Sequence, residues 1–496
     1  MRQRVVRVVD ERFDFTHDLI RQVVDGALLA PSRRLVHRRI ASALEALHAA
    51  NLEPHYAALG FHYREGEVWD KAVTYLRLAG GQAFLRSALR EAATSYEQAL
   101  EALRHLPESR ERIEEAIDLR SSLRTALVPL GDFGRTFEHL REAKVLAERL
   151  GDQRRLGWLC ASMVNTSLIV GDRAGALASG ERALTIAAAL GDPAIEAVAN
   201  LYLGQTHFVM GDYSRARDLL ERAVSFVRGD LVRERLGQII FPSVGSRARL
   251  AGCLAEIGAF PEAVAHGEEA LGIAESVDQP LSLMLATQHL GQVYLCRESL
   301  EAAIAVLERG LGLCRSHDIP YGFALIAGPL GRAYALSGRL AEAVPLLEQA
   351  TERAVAVRRS IEQSLRVAWL AEAYLLAGRA RDADRLARQA LDLARRHGER
   401  GNEAWVLRLL GEIARHRRPR ASADADDGYP LALALARELG MQPLSAHCHL
   451  GLGERYGTAG KLEQARNELA AAVGLYRAMA MTSWLRRAEA ALSRLG

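Results

Sequence analysis

His447, Cys448 and His449 stand side by side in "LSAHCHLGL", and two imidazoles with a thiol are atoms that zinc binds. Successive helical residues turn by about 100°, so the two imidazoles diverge by about 200° and the three groups cannot grip one ion. Packing is the reading that follows, and no metal is expected. The other cysteines, at 160, 253, 296 and 314, form no Cys-x-x-Cys pair, and they read as small buried apolar residues in a reducing compartment. Phosphate chemistry fails a similar check, because a P-loop needs a lysine followed by Ser or Thr. Only Lys71, Lys144 and Lys461 occur, and none has that context. Arg33, Arg34, His37, Arg38 and Arg39 make a dense basic cluster, but no aromatic residue is interleaved to stack a base. Leu35, Ile40, Leu44 and Leu47 are expected to pack beneath it, which makes the cluster a solvated or domain-contact face. The run "RHRRPR" at 415–420 is largely cancelled by Asp424, Asp426 and Asp427. No nucleophile elbow, His-Glu-x-x-His pair or dinucleotide fingerprint is found. Neither catalysis nor a cofactor is expected.

What could position any remaining chemistry is a repeat. Gly291, Tyr294, Ala303, Leu307 and Gly310 define a set of offsets that recurs at Gly331, Tyr334, Ala343, Leu347 and Ala350. It returns from Gly60, Gly204 and Gly453, with weaker copies from Arg124, Val164, Ala251, Ala371 and Gly411. Residues three or four apart share a helix face, so each set describes two helices, with a small residue on one making room for a large one on the other. Between them lie turns such as "MGDYSRA", "VGDRAGA" and "SGRLAEA", where glycine can take the left-handed conformation that ends a helix.

The Gly, Tyr, Ala, Leu and Ala spacing resembles the tetratricopeptide repeat (TPR). From 124 to 204, and from 251 to 411, the period is 40 rather than that family's usual ~34, which predicts longer helices. The fold expected is all-α, a right-handed superhelical solenoid of ten or so TPR-like helix pairs. Two intervals are longer. The stretch 228–247 carries Gly229, Pro242 and Gly245, read as interruptions of the helical pattern, and an irregular loop is expected over 415–430.

The first fifty residues differ in texture. "VVRVVDERFDF" alternates as a small β-hairpin would, and amphipathic helices are expected from "THDLIRQVVDGAL" and "PSRRLVHRRIASALEALHA". The stretches "FDFTHDLIRQVV" and "RRLVHRRIASALEAL" resemble the end of the winged-helix domain in large bacterial signal-transduction ATPases. "RERLGQIIFPSVGSRARL" and "AHCHLGLGERYGTAGKLEQARNELAAAVGLYRAM" resemble the TPR arm of proteins that also carry a class III adenylate/guanylate cyclase domain and an ATPase domain. The resemblance implies a winged-helix remnant and connecting helix over 1–50, first TPR-like pairs over 51–115, the 40-residue-period solenoid over 116–410 and C-terminal pairs over 411–496. It also implies that His17 is a nucleotide sensor in full-length relatives, against a plain capping or interface role here. The cyclase and ATPase motifs themselves are not encoded.

In such arrays the first helix of each pair lines the concave side, with the residue after the packing position facing the groove. That row reads Asn165, Gln205, Gly252, Gln292, Arg332, Glu372, Glu412 and Glu454, with Gln288 and Arg408 one turn back. It passes from amides through an arginine to glutamates, a wall suited to an extended peptide or protein segment. The expected function is a non-catalytic interaction and sensing scaffold in a signalling or transcription-regulatory ATPase or cyclase system. Its partner would be a protein or peptide in the groove, with an upstream ATPase or cyclase module as a second. The alternative is the regulatory half of an adenylate/guanylate cyclase or ATPase whose catalytic domains lie upstream. A net charge of +3 gives no reason to expect nucleic acid, and the absence of a long uncharged apolar run leads us to expect a cytoplasmic chain without a membrane span.

Overall fold

The computed structural model describes residues 6–9, 12–15, 29–86, 88–317, 319–356, 361–417 and 428–495. His17 and the stretch 418–427 fall outside them. The chain divides into two compact units, Met1–Ala126 and Leu127–Gly496.

In the first unit, the strands Val6–Val9 and Arg12–Phe15 pair antiparallel, Val6 opposite Phe15 and Val9 opposite Arg12. The helices Ala30–Leu47, Tyr56–Glu65, Trp69–Leu85 and Leu89–Leu103 follow. The Ala30–Leu47 helix corrects one expectation: it buries His37 and Ala41, whereas Leu35, Ile40 and Leu47 are exposed. Its inward face is set by polar contacts instead. Arg34 pairs with Glu67 at 2.6 Å, Arg38 Nε donates to the Gly66 carbonyl, and His37 meets His62 at 2.8 Å.

Glu45 ties that helix to the first repeat. It accepts from Tyr63 Oη and Tyr75 Oη at 2.5 Å and from Lys71 Nζ at 2.6 Å. Burial opposes its ionisation, but Lys71 and the two hydroxyls outweigh it and bring the carboxyl from 4.5 to about 2. A carboxylate whose pKa is lowered by folding contributes stability that is full above its unfolded value and lost as pH falls toward its folded one. Urea midpoints of the wild type should therefore drop between neutral pH and pH about 3 by more than those of Glu45→Gln. Equal drops would mean the network contributes nothing.

The second unit is built from helices mostly of 17 or 18 residues, beginning with Phe133–Leu150, Gln153–Val170, Arg173–Leu190 and Pro193–Met210. Their spacing has a simple cause. Gly131, Gly151, Gly171, Gly191 and Gly211 all have positive φ, so a left-handed residue recurs every half-repeat. Each is followed by an aspartate, and Asp132, Asp152, Asp172, Asp192 and Asp212 accept from backbone N–H groups of the helix they open, the usual N-cap arrangement. The long period is thus two long helices and two tight turns, with the extra residues added to the helices. At the same register later in the chain, Asp278 and Glu298 hold φ of 46° and 62° without glycine.

Helix pairs lock through the predicted small-to-large contacts. A Cβ on Gly331 would lie 2.6 Å from Leu347 Cγ, and one on Gly204 would lie 2.7 Å from Leu220 Cγ; Gly291 abuts Leu307 in the same way. Gly331→Ala should destabilise this unit by about 1–3 kcal/mol through overpacking, read as a lower urea midpoint. The repeat tyrosines also link consecutive pairs, since Tyr294, Tyr334 and Tyr374 donate to Glu268, Glu308 and Glu348 at 3.1, 2.7 and 2.6 Å.

The long interval over 228–247 is a packed element. A 3-10 turn spans Gly229–Arg233, and Tyr202 Oη donates to the buried Gln238 at 3.2 Å. Ile239 and Phe241 enter the core. Gly245 does not interrupt a helix as expected; it lies inside Pro242–Ile257, where its missing side chain admits Arg249 and Leu201.

The array winds back on itself. Gly211 closes on Gly401, and a Cβ on Gly401 would fall on the Tyr213 hydroxyl. Gly258 likewise packs against Met479 and Pro443, and Gly398 against Arg173. Glycine at these crossings lets distant turns approach to backbone distance, which encloses a bore between the inner helices.

Candidate functional site

Five inner helices supply most of the bore: Pro242–Ile257, Pro280–Arg297, Pro320–Leu336, Gln363–Leu376 and Arg400–Arg417. The fourth is held by a buried carboxylate, Glu399, which accepts from Glu362 N at 2.7 Å and Asn402 Nδ2 at 3.1 Å and also from the Ser364 hydroxyl. Three adjoining cavities of about 70, 140 and 70 Å³ lie along these helices, sharing Glu372 and Arg408.

At their junction Glu372 bridges two guanidiniums. Its Oε2 accepts from Arg332 Nε and its Oε1 from Arg408 Nη2, each at 2.9 Å. All three side chains are only 13–15% exposed. Burial opposes ionisation of Glu372, yet Arg332 and Arg408 outweigh it and hold the carboxyl below its ordinary value. Both guanidiniums also lie over the Trp405 ring, 5.6 and 5.7 Å from its centroid, within cation–π range. Trp405 Nε1 donates to Glu256 Oε2 at 3.0 Å, a bond across the closure that joins segments far apart in the chain.

The surroundings are tuned by enclosure. Burial pushes the Glu256 carboxyl up, against the Trp405 bond and the Arg332 charge, and pushes Glu298 up to about 7. His447 is driven well below its usual range by burial and by Arg408, Arg332 and Arg487, so it is neutral. It contacts Tyr476 Oη at 2.8 Å and the Trp484 ring edge-on at 4.6 Å. His449 turns the other way, to Glu468 at 2.5 Å, and the divergence of the two histidines follows from helix geometry. Burial raises Cys296 to about 12, which leaves it a protonated wall residue.

The row after the packing position divides. Gly252, Gln292, Arg332 and Glu372 line the first cavity, with Arg408 beside them, and Glu412 and Glu454 line the second. Glu412 is engaged by Arg415 and Tyr429, and Glu454 by Arg487 at 3.1 Å. Gln205, Asn165 and Gln288 are not brought to these cavities. Gln205 accepts from Arg249 Nε at 2.9 Å, and Asn165 Oδ1 and Gln288 Oε1 are buried without a hydrogen-bond partner among the described residues.

Sequence reasoning assigned none of Glu256, Cys296, Trp405, His447 and Trp484 to a site; His447 and Cys296 were read as packing residues. A signal for two of them exists: one turn beyond the predicted row, Val209, Glu256, Cys296, Leu336, Leu376 and His416 occupy one repeat position, and all line the bore. An i, i+4 extension of the row would have found them.

Residues 152–440 match the family described as the MalT-like TPR region. The chain belongs to this family. The bore of this MalT-like array therefore lies on TPR inner helices, and its closure is made largely within the matched region. No match was found among curated proteins. Among solved structures, a Rap protein complexed with competence and sporulation factor is similar at 13% identity and a TM-score of 0.46, over 69% of this chain and 98% of that one. The apo quorum sensor NprR from B. thuringiensis is similar at 12% identity and a TM-score of 0.46, over 74% and 99%. A Signal Transduction ATPase with Numerous Domains with a tetratricopeptide repeat sensor, from Pyrococcus horikoshii, is similar at 13% and 0.35, over 88% of this chain and 56% of that one. At these identities the likeness concerns the fold alone. No described helix of the chain is long and apolar enough to cross a membrane.

Proposed function

We propose that the array is a non-catalytic interaction and sensing arm that takes a peptide, protein segment or effector against its inner wall. In this reading it serves a signalling or transcription-regulatory ATPase or cyclase system, as the quoted stretches of the first fifty residues imply by resemblance for the ATPase, and the two later quoted stretches for the cyclase. The observation that carries the binding reading is the Arg332–Glu372–Arg408 triad on the wall of a cavity. A buried ionic triad is a poor source of stability, because desolvation offsets most of its attraction. A recognition role accounts for its presence where packing does not.

Panning a displayed random-peptide library on the full chain tests this. Enriched peptides should bind the wild type and bind the Arg332→Glu/Glu372→Arg variant, which keeps an ion pair but reverses it, about tenfold or more weakly. Failure to enrich any sequence, or equal affinity for the reversed pair, would remove the proposal.

A further inference from the structure

The ionisable groups of the bore differ in how fully they are engaged. Both Glu372 oxygens accept from arginines, Glu412 accepts from Arg415 and Tyr429, and Glu454 is shared by Arg487 and Arg415. These three carboxylates are engaged. The two triad guanidiniums are not fully so: among the described residues Arg332 bonds Glu372 through Nε alone, Arg408 through Nη2 alone, and Arg408 Nε is buried with no hydrogen-bond partner. A guanidinium carries five donors, and enclosed donors without acceptors are costly. The free capacity of this wall is therefore for an acceptor. Two arginines and one ionised glutamate leave the triad with a single positive charge; of the other carboxyls on the same cavity, Glu362 faces Arg366 and burial opposes ionisation of Glu256, so the triad matches one negative charge and not two. Beside it the first cavity is walled by Phe208, Leu295, Leu365, Trp369 and Trp405, and at about 70 Å³ it admits a ring or a chain end but not a folded partner.

Resting on the interaction reading above, we infer that the Arg332–Arg408 face of the bore is a receptor for a monoanionic carboxylate adjoining an apolar or aromatic group. That chemistry is shared by a free small carboxylic acid and by the C-terminal residue of a peptide. The carboxylate takes the open N–H donors of Arg332 and Arg408, while the apolar group lies against Trp369 and Trp405.

Isothermal titration of the full chain with four probes decides it: 3-phenylpropionate, its primary amide, a triglycyl-phenylalanine peptide with a free C-terminus, and that peptide amidated. At least one free acid should bind about tenfold or more tightly than its amide, and Arg408→Gln should abolish the difference. Binding by both acids identifies the carboxylate group itself as the determinant; binding by the peptide acid alone identifies a chain terminus. The acid-to-amide comparison uses the wild type, so it stands even if the variant does not fold. Equal binding of acids and amides, or no binding of either acid up to about 10 mM, overturns the inference. If library-selected peptides bind equally well as acids and amides yet still depend on the wall, the interaction reading stands and only this inference falls.

Discussion

Glu372→Gln should lower the stability of the 127–496 unit by about 3 kcal/mol, because it leaves two enclosed guanidiniums facing a neutral amide. Glu372, Arg332 and Arg408 are 13–15% exposed, so water replaces the lost partner only in part. Two guanidiniums drawn toward one carboxylate become two like charges with only a neutral amide between them. The wild type should show the corresponding pH dependence. The folded pKa of Glu372 is depressed, so its contribution is present above the unfolded carboxylate value and is lost as pH falls through the folded one. Urea unfolding at neutral pH checks the magnitude, and a change below about 1 kcal/mol would show the triad to be open to solvent.

Trp405→Ala should cost a similar amount, about 3 kcal/mol or more, by leaving a cavity where a large ring was packed. It also removes the surface over which Arg332 and Arg408 lie and the indole N–H bonded to Glu256. Because that bond crosses the closure, its loss is felt on a helix remote in the chain. Amide exchange in Pro242–Ile257 should rise in the variant, while exchange in the outer Phe260–Val277 helix changes little. Trp405→Phe retains most of the packing and separates the two effects: it should release the closure at a smaller cost in stability. Unchanged exchange in Pro242–Ile257 would mean that the Glu256 bond holds nothing together.

The parts legible in the sequence are those set by local period. Gly204, Gly291 and Gly331 sit against Leu220, Leu307 and Leu347 because a fixed offset across one tight turn places them there. The row from Gln292 through Arg332 to Glu372 reaches the bore because it repeats in step with those glycines. The pairing within that row was not legible, since a graded list of side chains does not say that one carboxylate bridges two arginines. Trp405, His447 and Trp484 were not placed in the bore because the array must wind back before they meet, and that closure rests on close approaches such as Gly211 to Gly401, which no local period signals. The Ala30–Leu47 helix was misjudged for a related reason: its leucines follow an apolar period, but the neighbours it meets in the first unit are His62, Gly66, Glu67 and the Tyr63–Lys71–Tyr75 network, which select its polar face.

On the proposed function, the Arg332–Glu372–Arg408 triad is held in the bore to bind and not to stabilise. The variant Arg332→Met/Glu372→Leu/Arg408→Met replaces it with apolar groups of similar length, a change that is often neutral or stabilising by about 1–4 kcal/mol. The affinity of library-selected peptides for this variant, measured alongside its urea midpoint, is the most direct test. The midpoint should be equal to or above that of the wild type while peptide affinity falls about a hundredfold or more. A stably folded variant that keeps its peptide affinity would contradict a binding role for the triad.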